Sequence, residues 1–324
     1  MMPTKKNNHL LPRMVIKRWE EQDGKIYVKK DNKIRKVRPL DYSKKYYYSL
    51  GKVDDELENR ISVFESYVAN LLKQLNDADG KIEITEKDME ILKLYVILQS
   101  CRNDNTSSFI KEDESGFYQN NNYIIGVPFI STQEEAVEFT SLICNEFERI
   151  KQLGPSEKYS YDYHIFKGEG INSLLCNGLH LVIVANDKNE FLVSETTAII
   201  ECTLDGDYLF TYVPVSPKIG LILAKSRYFY TAEIIEATKI RLGEKYSGKP
   251  DPYLSVVLED TKLIFSGKAK EGKVTLSIIK LAKDEISTLN SVIYEDGNNI
   301  LFSNEASLND AKRGNEARKV SISF

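Results

Sequence analysis

His9 is one of only three histidines in the 324-residue chain, and it precedes the basic side chains Arg13, Lys17 and Arg18. Arg102 closes a segment patterned as a helix, and Ser194-Glu195 closes one patterned as a strand. An imidazole, a guanidinium and a carboxylate suffice for phosphoryl chemistry without a required metal. His9 would act as acid or base, Arg102 would stabilise an anionic transition state, and Glu195 would orient the imidazole. Ser194 is an alternative nucleophile, although the sequence shows no base for it. The competing expectation gives these residues packing roles. His9 and Pro12 then fix how the first segment joins the fold. Arg102 pairs with Glu58, Glu65 or Glu195 as a partly buried ion pair, and Trp19 belongs to the core.

Other motifs fail on inspection. Gly243 to Pro250 nearly spells a phosphate-binding loop, but Pro250 replaces the hydroxyl that should hold magnesium and does not suit a helix starting near Gly248. Gly168-Glu-Gly170 lacks the third glycine of a dinucleotide turn. Pro250-Asp251 followed by Asp260-Thr-Lys262 has the letters of a metal-dependent nuclease site. One extended strand between the two acids would hold them about 30 Å apart. The cysteines, at 101, 144, 176 and 202, show no metal spacing and sit in apolar contexts that suit a reducing cytosol. Neither a metal nor a cofactor is expected.

Charge is unevenly distributed. Residues 1–50 hold fourteen Lys or Arg against five acids, whereas the whole chain is at −4. A basic arm on an acidic body attracts polyanions through phosphate contacts and counterion release, and Arg13, Lys17, Arg18, Lys33, Arg35 and Lys36 are the candidate nucleic-acid contacts. The same arm could dock on the body's own acidic surface, and lysines on an edge strand also protect against aggregation. No apolar run approaches the ~20 residues of a membrane helix, and no secretory signal opens the chain, so a cytoplasmic protein without membrane contact is expected.

These residues need elements to position them. Residues 24–39 read as a hairpin around Asp31-Asn32. Leu57–Leu75 carries an apolar stripe at Ile61, Phe64, Val68, Leu71, Leu72 and Leu75. A second helix starts at Thr85, where Thr-Glu-Lys-Asp resembles a capping box, and runs to Arg102. Residues 103–122 read as a loop or insertion, and a third helix spans 132–153, stopped by Gly154-Pro155. Strands are expected at 179–185 and 190–195, joined as a hairpin at Asn186-Asp187, then at 208–215 and 219–224, within 253–266, and from Lys273. A last helix covers 284–294. Pro214-Val-Ser-Pro217 would bend a strand at a sheet edge. The fold class is α+β: an N-terminal hairpin and helices packed on a largely antiparallel sheet, with a C-terminal helix. One integrated domain is expected over 1–324, with a basic segment 1–50, a helical region 54–153 and a strand-rich region 179–324.

The opening residues His9-Leu10-Leu11-Pro12, then Ile16, Lys17 and Trp19, resemble the first motif of the domain of unknown function 4238 family, with Arg13 where that family usually has glutamine. Further matches follow in order. Gln99-Ser-Cys-Arg102 resembles the family's Gln-x-x-Arg helix end, and Ser194-Glu195 its strand end. Pro214-Val-Ser-Pro217 resembles its Pro-Leu-Ser-Pro segment, and Leu289-Asn290 with Ile293-Tyr294 its closing helix. The resemblance implies a mostly bacterial family of accessory proteins, which fits host defence or toxicity, and supplies no reaction. Two functional classes follow. One is an enzyme acting on nucleic acid or nucleotide, with His9, Arg102, Glu195 and Ser194 around one opening. The other is a non-catalytic module that binds nucleic acid or protein. Oligomeric state is not readable from the sequence.

Overall fold

The computed structural model describes residues 7–8, 11–31, 33–39, 44–45, 56–102, 123–124, 127–128, 133–152, 179–186, 189–195, 198–202, 208–225, 273–297 and 299–322. His9, the segment 103–122, the strands expected within 253–266 and the glycine-rich and acid-lysine motifs between 168 and 262 lie outside these residues.

Within the described residues the fold is α+β. Strand β1 (Asn7–Asn8) pairs with β4 (Lys44–Lys45), so the backbone just before His9 is tied to the chain that follows the hairpin formed by β2 (Ile26–Lys30) and β3 (Lys33–Val37). Asp31 makes the hairpin turn with a left-handed φ of 48°, a conformation that Asp tolerates better than most residues. Helix α1 (Arg13–Ile16) begins at Pro12, whose carbonyl accepts from the Val15 and Ile16 amides. It continues as a single 3₁₀ turn, Lys17–Trp19, that buries Trp19.

Helix α2 (Glu56–Asp77) buries the apolar stripe expected of it, residue for residue. Helix α3 (Glu86–Cys101) starts at Thr85, whose hydroxyl oxygen accepts from the Asp88 amide at 3.0 Å, and the short antiparallel pair β6 (Tyr123–Ile124) and β7 (Val127–Pro128) and then α4 (Gln133–Gln152) follow along the chain. The sequence reading omitted β5 (Lys81–Thr85) directly before α3. Its alternation is clean, with only Ile82 and Ile84 buried, but five residues abutting a strong helix signal are hard to separate from it.

The largest sheet has the order β10-β11-β12-β8-β13-β5, built from β8 (Leu179–Asn186), β10 (Ile199–Cys202), β11 (Tyr208–Pro214), β12 (Ile219–Lys225) and β13 (Lys273–Leu281). Every pairing is antiparallel except β13 with β8. The sheet separates two cores. Leu181, Ile183, Leu221, Leu223, Leu276 and Ile278 face a core shared with α2, α3 and α4. Val182, Val184, Tyr212, Ile222 and Leu281 face a second core with α5 (Lys283–Asp296) and α6 (Glu305–Ile322). Burial on both faces explains why β8 reads as a continuous apolar run rather than an alternating one.

A second sheet, β3-β2-β14-β9, adds β9 (Val193–Ser194) and β14 (Asn299–Phe302). This corrects two expectations. Segment 190–195 makes no hairpin with β8, because β8 pairs with β12 and β13 while β9 pairs with β14. The chain is diverted at Asn186, whose backbone amide donates to the Lys218 carbonyl and whose side-chain amide donates to that of Pro217. The last helix is α6 rather than 284–294. Its few apolar anchors, such as Leu308 and Ala311, gave the sequence no stripe to read.

The segment Pro214–Pro217 also departs from expectation. It ends β11 at Pro214 and opens the turn Val215–Lys218 that joins β11 to β12 inside the sheet, so it is not a bend at an edge. The Ser216 hydroxyl oxygen accepts from the Lys218 and Ile219 amides, while the hydroxyl donates to the Asn76 side chain at the end of α2. Beside this turn, Gly220 gives room to the Tyr212 ring, which a Cβ would meet at 2.5 Å.

Candidate functional site

Helix α3 is buried nearly all round, yet it carries Tyr95, Gln99 and Arg102 at steps of four and three, which places them on one face. Arg102 is 2% exposed, and its Nη1 donates to Glu65 Oε1 on α2 at 2.5 Å. The Tyr95 hydroxyl is fully buried without a hydrogen-bond partner, and burial holds it well above the usual phenol range. Glu65 pushes it further up, whereas Arg102 and Arg18 pull it down, so these three groups lie within electrostatic reach of Tyr95. Arg18 comes from the 3₁₀ turn of the first motif. Its guanidinium is lowered by burial, and its Nε is buried without a partner. The first motif and the Gln-x-x-Arg motif thus meet at Tyr95. Across the same interior, burial pushes the Cys144 thiol on α4 up to about 12, with Arg60 and Arg102 opposing. Such a thiol stays protonated and unreactive.

Ser194 and Glu195 belong to a different joint. The Glu195 carboxylate accepts from the Asn299 amide at 2.8 Å and from the Asn299 side chain at 3.0 Å, closing β9 against β14. Ser194 is buried against Gly297, where a Cβ would stand 2.6 Å from the serine Cβ. Asn290 on α5 secures the preceding segment. Its Oδ1 accepts from the Leu192 amide at 2.9 Å, and its Nδ2 donates to the Glu190 carbonyl at 2.8 Å. The Glu190 carboxylate in turn accepts from the Ser303 and Asn304 amides and from the Ser303 hydroxyl. Among the predicted catalytic residues, Arg102 therefore engages α2, while Ser194 and Glu195 engage the approach to and start of β14. The sequence named Arg102 and Asn290 by motif. Tyr95 and Glu190 were missed, because a lone tyrosine in an apolar helix and a glutamate in a loop look ordinary until their burial is known.

Glu190 has a pH consequence. Burial is the largest influence on its carboxyl and raises it, against the three hydrogen bonds that lower it. A carboxyl raised in the folded state adds stability below its unfolded pKa of about 4.3, and that contribution is lost as pH rises through the folded value. Glu190→Gln removes this titration while keeping an acceptor for the two amides. The stability of the wild type relative to Glu190→Gln should therefore increase as pH falls from 7 towards 4.5. The slope should not exceed about 1.4 kcal/mol per pH unit, read by urea denaturation at each pH. A difference that is flat, or runs the other way, would contradict this account.

The predicted nucleic-acid contacts occupy another surface. Lys33, Arg35 and Lys36 stand exposed on β3, an edge strand of its sheet, and Lys30 is exposed where β2 leads into the turn. Lys36 Nζ lies 3.0 Å from Asp23, which raises the lysine and lowers the acid, and it also sits 5.0 Å from the Tyr27 ring centre. Lys29 lies 4.2 Å from the ring centre of Tyr294. Arg13 and Lys17 are exposed on α1 and its 3₁₀ extension, and Arg18 is half-buried. Among the described residues no group of three or more His, Cys, Asp or Glu is placed to hold a metal ion, and no helix is long and apolar enough to cross a membrane.

A family model described as "Protein of unknown function (DUF4238)" matches residues 7–307. No curated protein and no solved structure matches the chain.

Proposed function

This chain belongs to the DUF4238 family, and we propose that it is a nucleic-acid-binding protein whose contact face is the basic N-terminal hairpin. The observation that carries this reading is the run Lys33–Val37, an edge strand with four of its five side chains exposed, three of them basic. A polyanion lying along that edge would meet Lys30, Lys33, Arg35 and Lys36 in succession, and contacts of this kind engage phosphates rather than bases. The remainder of the chain is acidic, which favours one-sided binding.

Binding of a fluorescent single-stranded RNA should weaken steeply with salt. The triple variant Lys33→Gln, Arg35→Gln, Lys36→Gln should lower the slope of log K against log salt by about 2. Absent binding, or a slope unchanged in the variant, would rule the hairpin out as the contact face.

A second reading rests on Tyr95 and Arg102. The unpartnered hydroxyl beside a guanidinium, with His9 following β1, supports a phosphoryl-transfer enzyme acting on nucleic acid or nucleotide in a defence or toxin setting. In it His9 is the acid–base group, Arg102 stabilises the anionic transition state, Glu195 orients the imidazole, and Ser194 is an alternative nucleophile. Expression of wild type and His9→Ala in bacteria separates the readings. Growth arrest and RNA loss with the wild type alone support catalysis, whereas equal growth and intact RNA count against its toxic form.

A further inference from the structure

The two faces of the hairpin differ. Ile26, Val28 and Val37 turn one face to the core shared with α2, α3 and α4. Tyr27, Lys29, Ile34 and Lys36 share the other, because Tyr27 pairs with Lys36 and Lys29 with Ile34. Register also sets Phe302 of β14 opposite Tyr27, so the tyrosine has Phe302 on one side and Lys36 on the other. Phe302 is fully buried and stacks on Tyr27, with ring centres 5.8 Å apart and planes 27° apart, which steadies the tyrosine ring from behind. Lys36 Nζ stands 5.0 Å from the Tyr27 ring centre, and Lys29 Nζ is held 4.2 Å from that of Tyr294 on α5. Ile34, two residues from Lys36 on β3, is 46% exposed.

Edge protection accounts for the charges of β3 but not for an exposed isoleucine beside a supported ring. A half-buried ring, an exposed apolar side chain and lysines on one face are the parts of a single-strand site, where aromatic side chains stack bases and a basic surface follows the backbone. Stacking of a base on an aromatic ring outweighs an exposed cation–π contact, so a base can take the ring face that Lys36 covers. Moving Lys36 also opens its pair with Asp23 at 3.0 Å, an exposed contact that contributes little. The flexible lysine stem then carries its ammonium to a phosphate. A duplex keeps its bases paired and stacked inside, and offers this face phosphates and groove edges alone.

We propose that the face formed by Tyr27, Ile34 and Lys36 takes one unpaired base, which makes the partner a single-stranded nucleic acid. The base stacks on Tyr27 beside Ile34, while Lys29 and Lys36 meet the flanking phosphates. This inference rests on the hairpin being the nucleic-acid contact face.

Competition titrations of the full chain with a single-stranded RNA, a duplex of equal length and inorganic polyphosphate test it. The single strand should bind roughly tenfold more tightly than the duplex at matched salt, and polyphosphate should compete no better than the duplex. Tyr27→Leu keeps apolar bulk against Phe302 but removes the ring. It should weaken single-strand binding roughly tenfold, with the salt slope and polyphosphate binding unchanged. Tyr27→Phe keeps the ring and should bind as the wild type does. Ile34→Ser alters a side chain too exposed to support the fold and should weaken single-strand binding by roughly threefold. The proposal is overturned if the duplex or polyphosphate binds as tightly as the single strand, or if Tyr27→Leu and Ile34→Ser both bind as the wild type does. Salt-dependent binding that the hairpin triple variant loses, with no preference for the single strand, overturns this inference and leaves the contact face standing. No binding of any probe overturns both.

Discussion

Arg102→Met should destabilise the protein by about 3–5 kcal/mol, because it leaves the Glu65 carboxylate partly buried without its partner. Glu65 is only 18% exposed and faces a guanidinium that is 2% exposed, so neither charge retains much water. Breaking such a pair costs far more than the pair contributes net. The double variant Arg102→Met, Glu65→Leu should therefore recover most of the loss, since two apolar side chains of similar volume fill the gap between α2 and α3 without a stranded charge. Chemical denaturation of the two single variants and the double variant forms a complete cycle. If the double variant is as unstable as the sum of the singles, the pair does not act as a unit. The cycle also informs the catalytic reading. A stable double variant that has lost activity would give Arg102 a role in chemistry, whereas a double variant that keeps activity would confine it to packing.

Asn290→Ala should cost a similar amount, roughly 2–5 kcal/mol. It strands the Leu192 amide and the Glu190 carbonyl, each a buried backbone group whose lost partner costs about 1–3 kcal/mol. Asn290→Asp keeps an acceptor for Leu192 but buries a carboxylate against the Glu190 carbonyl, so at neutral pH it should cost no less, and part of that cost should vanish as acid protonates the new carboxyl. Urea denaturation at neutral and acid pH ranks the variants, and native-state hydrogen exchange at the Leu192 amide should accelerate far more in the alanine variant. A cost below about 1 kcal/mol for Asn290→Ala, or protection at Leu192 unaffected by either substitution, would mean that the clamp is not what holds segment 189–195.

Much of the frame was legible because its signals are local. The six buried positions of α2, the Thr85 cap of α3 and the Asp31 turn follow from spacing and short-range hydrogen bonds. The alternative of Arg102 with Glu65 as a buried pair was also readable, since a charged residue ending an apolar helix must find a counter-ion. Strand partners were not. Nothing in Phe191–Glu195 states that β9 joins β14 a hundred residues later, because that choice is made by Asn290, Glu190 and Asn299 acting across the fold. The Pro-Val-Ser-Pro segment misled for the same reason. Its prolines suggested an edge, but the segment runs from the end of β11 into a tight hairpin turn whose serine caps the turn and reaches α2. At the candidate site, motifs named Arg102 and the first segment, but the approach of Arg18 on the 3₁₀ turn to Tyr95 depends on tertiary packing and has no one-dimensional trace.

The position of β13 has a consequence for how the protein is made. This strand lies between β5 and β8, and its Lys273 reaches Glu83 across 190 residues of chain. At about 5–20 residues per second, a ribosome needs roughly 10–40 s to deliver β13 after β5 has emerged. Throughout that interval Ile82 and Ile84 lack their strand partner, and β8, once made and paired with β12, keeps one open edge. The nascent chain therefore carries two unmatched β edges until β13 emerges, and a product truncated before residue 273 should be retained by chaperones or aggregate instead of folding as a smaller domain.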